Sequence, residues 1–135
     1  MKIIFITLFV SFFSFAVIAQ DDMTKAMEGT ELNYNYTGGN AYNVKLTTEG
    51  LSYQFLAGSK PEKWWGPFEY KAMSKDKGEY IISWFEDGFG DHVTLIVDFE
   101  KRQLFGSALV FSKKGVYKHL QMANIKSFKA PFLEK

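Results

Sequence analysis

From Glu31 onward apolar and polar side chains exchange places at almost every step, and that period of two constrains this chain more than any other feature. Successive side chains of a strand point to opposite faces, so the pattern describes half-buried strands rather than a helix of period 3.6. Leu32, Tyr34 and Tyr36 share one face against Glu31, Asn33 and Asn35. Thr37-Gly38-Gly39-Asn40 supplies residues that tolerate a positive φ, the chemistry of a hairpin turn. Tyr42, Val44 and Leu46 then alternate with Asn43, Lys45 and Thr47, and Thr48-Glu49-Gly50 turns the chain into Leu51, Tyr53 and Phe55.

The same reading continues to the end. A polar loop from Gly58 to Glu62 leads into a fourth strand, Lys63 to Tyr70, interrupted by Gly66-Pro67. Proline donates no ladder hydrogen bond, so it implies an edge position or a bulge there. Ser74 to Gly78 reads as a charged turn, and Tyr80 to Glu86 as a strand with Tyr80, Ile82, Trp84 and Glu86 on one face. Asp87 to Asp91 is a glycine-rich loop; Val93 to Val97, Leu104 to Phe111 and Val116 to Phe128 complete the strands. Asp21 to Glu28 alone suggests a helix, stopped by Gly29. About eight sequential strands with short turns and no helical crossover predict an all-β fold, an up-and-down antiparallel barrel. A two-sheet sandwich is the rival. A barrel of that size is wide enough for one small ligand.

Composition narrows the function. The 135 residues are enough for one core, and 18% aromatic content places the chain among folded proteins. A formal charge of +1 provides no field for nucleic acid. With no cysteine, disulfides, a thiolate zinc site and a cysteine nucleophile are all excluded.

The N-terminus reads as an address. Lys2 precedes an almost wholly apolar run from Ile3 to Ile18, and Val17-Ile18-Ala19 offers small residues where a signal peptidase needs them. Cleavage after Ala19 is expected, giving domains 1–19 (signal peptide) and 20–135 (barrel) and a periplasmic or secreted protein without a stable membrane anchor. The run is short of the roughly 20 residues that span a bilayer. No cysteine follows it, so a lipoprotein anchor is excluded.

If each strand's apolar face is its inner face, Tyr34, Tyr36, Tyr42, Tyr53, Trp64, Trp84 and Glu86 point inward together. Buried phenol hydroxyls and indole nitrogens need partners. That leaves two readings, a cavity for water or ligand and a plain aromatic core whose hydroxyls reach the barrel mouth. Glu86 divides in the same way. On the inner face its carboxyl would be desolvated and its pKa raised, as suits a general acid; if the strand has already ended, it sits in water beside Asp87.

Other constellations carry less. His92 and His119 lie on different strands with no paired carboxylate and make a poor metal set. Asp98, His119 and a serine form a triad only on paper, since no Gly-x-Ser-x-Gly elbow supports it. Gly88-Phe89-Gly90 lacks the strand–turn–helix context of a phosphate loop. Lys113 and Lys114 read as a solvated turn.

The segment Tyr80-Ile81-Ile82-Ser83-Trp84-Phe85-Glu86, a glycine-containing loop, Val93 to Glu100 and Leu104-Phe105-Gly106 resembles the MoaF-like family. Asn33-Tyr34-Asn35-Tyr36, with Gly39 and Tyr42, resembles that family's first hairpin. The resemblance implies a calycin-type, lipocalin-like barrel related to the bacterial phenolic acid decarboxylases, which bind a p-hydroxycinnamic acid in the barrel without a cofactor. Carried over, it assigns Tyr34 and Tyr36 to holding substrate, Glu86 to handling the proton, and Tyr42 and Tyr53 to the cavity wall. The family's arginine is replaced by Lys63, which keeps the charge but loses the planar fork that grips a carboxylate.

Three functions follow as expectations. The first is an exported binding barrel for a small, mostly apolar or aromatic molecule, needing no cofactor or metal. Tyr34, Tyr36, Tyr42, Tyr53, Trp64 and Trp84 would line it, with Glu86 and Lys63 as polar anchors. The second is a cofactor-free decarboxylase using Glu86 as its catalytic group. The third is an envelope interaction protein, marked by a dry core and an exposed patch of Phe89, Phe105 or Phe128.

Overall fold

A computed structural model describes residues 21–135 apart from Phe89. The expected signal peptide, 1–19, lies outside the described residues. The described residues form nine strands: β1 (Glu31–Tyr36), β2 (Ala41–Thr47), β3 (Gly50–Phe55), β4 (Trp64–Phe68), β5 (Tyr70–Asp76), β6 (Glu79–Glu86), β7 (Asp91–Asp98), β8 (Gln103–Ser112) and β9 (Gly115–Lys129), followed by a 3-10 turn, Pro131–Glu134. All pair antiparallel in one sheet of order β4-β3-β2-β1-β9-β8-β7-β6-β5. The two end strands are consecutive in sequence, with only Glu69 between them. The sheet therefore curls until its ends nearly meet, a nearly closed antiparallel barrel.

The ninth strand comes from the fourth expected one. That run divides at Glu69, just after Gly66-Pro67, and its two parts pair on opposite sides, β4 with β3 and β5 with β6. Proline sits where it costs least, since β4 is an end strand whose pairing with β3 shifts register between Leu51 and Tyr53. Gly66 has φ +107°, and a Cβ there would stand 2.6 Å from the Leu51 carbonyl oxygen, so only glycine fits. The expected turn at Ser74 is shorter than the sequence suggests, because β5 runs on to Asp76. Lys75 then bridges Asp76 and Glu79 across the turn, 2.8 Å from each.

Asp21 to Glu28 is not a helix. Asp22 forms a bridge with Met73 of β5, the Met23 amide donates to the Ala72 carbonyl at 2.9 Å, and the Ala72 amide donates to Thr24 Oγ1 at 3.0 Å. The segment spends its hydrogen bonds on the open edge of β5, which would otherwise be exposed. The rest folds as turns, with Met27 fully buried beneath the barrel.

Odd-numbered hairpins turn at one end of the barrel and even-numbered ones at the other. The end formed by residues 21–30, the β2–β3, β5–β6 and β7–β8 turns and the C-terminus is plugged. There Phe99 packs against Phe128 with ring centroids 5.0 Å apart, and Tyr80 against Phe132 at 5.0 Å. Phe128 thus packs half-buried against the core, and Phe105 is half-buried as well. Phe89 lies outside the described residues. Among the exposed apolar side chains, Leu109, Phe111, Val116, Leu120 and Met122 line the outer face of the β8–β9 hairpin. Leu46, Leu51, Ile82, Leu95, Val97 and Leu104 fill the middle of the barrel, each no more than 1% exposed.

Candidate functional site

Above that middle layer the interior changes from aliphatic to aromatic. Tyr34 and Tyr36 come from β1, Tyr42 from β2 and Tyr53 from β3, all on the inner face. Tyr34 lies opposite Tyr42 in the ladder, which brings their rings to 5.7 Å in a stacked arrangement. Tyr36 meets both edge-on, at 5.3 Å from Tyr34 and 5.7 Å from Tyr42, and Tyr42 meets Tyr53 at 6.0 Å. These are the offset and edge-to-face separations that the ring quadrupole favours.

Glu86 ends β6 and pairs with Asp91 across the β6–β7 turn, so the strand persists far enough to keep it on the inner face. It is 5% exposed. Tyr53 Oη donates to its Oε2 at 3.1 Å, and Trp84 Nε1 donates to its Oε1 at 3.3 Å. Burial pushes the Glu86 carboxyl above the usual carboxylate range; the bonds from Trp84 and Tyr53 pull it back, and the Asp91 charge pushes it up again. Burial likewise raises Tyr34 well above the ordinary phenol value, with Tyr36 adding to the effect. It raises Tyr42 to about 12, with Tyr36 and Glu86 contributing. Tyr53 is raised by burial first and then by the Glu86 carboxylate it binds. Burial raises Tyr36 too, against a hydrogen bond with Tyr34, so all four phenols are neutral hydrogen-bonding groups near neutral pH.

Around these groups is a cavity of about 200 Å³. The tyrosines of β1, β2 and β3 form one side. Trp84 and Glu86 of β6, Val93 of β7 and Gly106, Ala108 and Val110 of β8 form the other, and Asn40, Asp91, His119 and Gln121 complete the lining. Small side chains across the barrel leave room for large ones. Gly106 is the clearest case, because a Cβ there would collide with the Tyr36 hydroxyl. Gln121 Oε1 is buried with no hydrogen-bond partner. A neighbouring cleft of about 200 Å³ shares Tyr42, Tyr53, Glu86 and Asp91 and adds Phe55 and Trp65.

Of the eight residues singled out from the sequence, six meet at this cavity: Tyr34, Tyr36, Tyr42, Tyr53, Trp84 and Glu86. The other two do not. Trp64 lies opposite Gln54 and faces outward, 39% exposed, with Lys45 Nζ 4.0 Å above its ring. Trp65, opposite Tyr53, faces in. The register shift at Gly66-Pro67 moves the inner face by one residue, which strict alternation across the break misses. Lys63 is exposed, its Nζ 3.6 Å over the Trp65 ring, and lines neither cavity nor cleft.

Sequence reasoning missed Asn40, Asp91, Gly106, Gln121 and the mouth position of His119. Gly106, Ala108 and Val110 did carry a signal, small residues alternating on one face of an expected strand. Among the described residues no three His, Asp or Glu side chains gather closely enough to hold a metal ion. The site can therefore hold an apolar or aromatic body between rings, accept hydrogen bonds at a shielded carboxylate, and exchange a proton there.

No protein-family model matches the chain, and no curated protein matches its sequence.

Proposed function

We propose that this chain is an exported binding barrel, MoaF-like in character, that holds one small, mostly apolar or aromatic molecule. The observation that carries this reading is the half-aromatic cavity around Glu86. A barrel filled only for stability would close on interlocking apolar side chains, as the plugged end does with its phenylalanines, whereas four tyrosines, a tryptophan and small residues leave about 200 Å³. That is below the roughly 300–1,000 Å³ of pockets for drug-sized molecules, so the ligand is small. The rings supply flat apolar walls and the carboxylate fixes orientation.

Titration calorimetry of the purified protein with 4-ethylphenol tests this. Saturable one-to-one binding is expected, and Ala108→Trp, which fills the cavity, abolishes it. Absence of binding by the native protein, or binding unchanged by the filled cavity, sinks the proposal.

A second reading, a cofactor-free phenolic acid decarboxylase, draws on one feature: Glu86 is buried and shares a hydrogen bond with Tyr53, as a proton-handling group would. Its weak point is the carboxylate anchor, because Lys63 stands on Trp65 outside the cavity. Incubation with p-coumaric acid, followed by ultraviolet absorbance, decides it. Loss of the cinnamate band in the native protein but not in Glu86→Gln would establish the lyase; an unchanged band over hours removes it.

A further inference from the structure

We propose that the cavity selects a cation: its ligand carries an ammonium or similar positive group, seated between the tyrosine rings and the carboxylates of Glu86 and Asp91. This deepens the small-ligand reading and rests on it.

The charge balance of the walls is one-sided. Two carboxylates line the cavity, paired across the β6–β7 turn, and no lysine or arginine is among its lining residues. Lys63 is engaged with the Trp65 ring outside the cavity. Among the described lining residues the one basic side chain is His119, which is exposed. An anion would meet Glu86 and Asp91 in a partly desolvated space where their donors, Tyr53, Trp84 and the Phe111 amide, are all neutral.

The rings point the same way. An aromatic face carries negative potential and attracts a cation held against it. Tyr34, Tyr36, Tyr42 and Tyr53 pack on one another, neighbouring centroids 5.3–6.0 Å apart, and form one aromatic wall of the cavity, which Trp84 also lines. Hydrogen-bonding chemistry agrees: an ammonium has donors and no acceptors, so it suits the carboxylates of Glu86 and Asp91. Burial favours the neutral form of Glu86, and a cation beside it favours the ionised one.

Three probes that share a phenol ring and differ in charge separate the possibilities: tyramine (cation), 4-ethylphenol (neutral) and 3-(4-hydroxyphenyl)propanoate (anion), titrated calorimetrically into the purified protein at pH 7.5. Tyramine is expected to bind about tenfold or more tighter than 4-ethylphenol, the size of one charge-assisted hydrogen bond, and the propanoate weakest. Glu86→Gln and Asp91→Asn should each lower tyramine affinity about tenfold, more than they lower that of 4-ethylphenol. The native-protein series stands even if a variant fails to fold. Equal affinity for tyramine and 4-ethylphenol overturns the cation while leaving the small-ligand barrel in place. Tightest binding of the propanoate overturns it in favour of a phenolic acid. Silence from all three overturns the aromatic-ligand reading and this inference with it.

Discussion

The two ends of the barrel are built from the same alternation and differ in what fills it. At the plugged end Phe99, Phe128, Phe132 and Tyr80 interlock edge-to-face, and Met27 closes the floor. At the open end the rings carry hydroxyls, the wall opposite them is glycine, alanine and valine, and a carboxylate is buried among them. Aromatic packing thus serves two purposes. Three phenylalanines around a single tyrosine interlock and supply stability, while four tyrosines and a glutamate leave room and polarity for something else.

The contrast predicts a gradient of effects. The largest belongs to the plugged end. Phe99→Ala should destabilise by about 3–5 kcal/mol, the usual cost of deleting a buried ring, read as a fall in the urea midpoint. A loss below 1 kcal/mol would mean the plug is not the stability core. Gly106→Ala comes next. Its Cβ must displace the Tyr36 hydroxyl, so about 1–3 kcal/mol of overpacking is expected, together with weakened 4-ethylphenol binding. Retained binding would show that Tyr36 can move aside freely.

Tyr53→Phe should cost about 1 kcal/mol, the net worth of one hydrogen bond. It should also push the Glu86 carboxyl further up, because the Tyr53 bond now holds it down. A carboxyl titration by NMR that moves downward or not at all would contradict that bond. The smallest effect is the pH dependence of Glu86. Its folded pKa is raised, so between the unfolded value of about 4.3 and the folded one the native state holds more protons than the unfolded chain. Stability then falls as pH rises through that window. Glu86→Gln should melt higher than the native protein at pH 8, with the difference vanishing toward pH 4. A constant difference across that range would break the argument.

Much of the inner face was legible because a strand's alternation is local. Once Tyr34 and Tyr36 are placed on one face, no distant contact can separate them without a bulge. Trp64 and Trp65 show where that logic ends. Gly66-Pro67 inserts a register shift whose position depends on how β4 meets β3, and the sequence records the interruption but not its phase. Asp21 to Glu28 failed for a related reason. A short segment with helical spacing has little intrinsic stability, and the open edge of β5 offered its backbone better partners. Glu86 was ambiguous because strand ends fray in sequence; its pairing with Asp91 settles the face.

By itself, then, the sequence determined that this is an all-β chain of consecutive hairpins, and which tyrosines share a face, because strand geometry and turn chemistry act over two to four residues. Tertiary structure decided the rest: the splitting of one strand into two, the outward turn of Trp64 and Lys63, and whether the aromatic interior is a solid core or a cavity. Those depend on how far apart opposite walls stand, and that distance is set only when Gly106, Ala108 and Val110 on β8 come to face Tyr34, Tyr36 and Tyr42 from the other end of the chain.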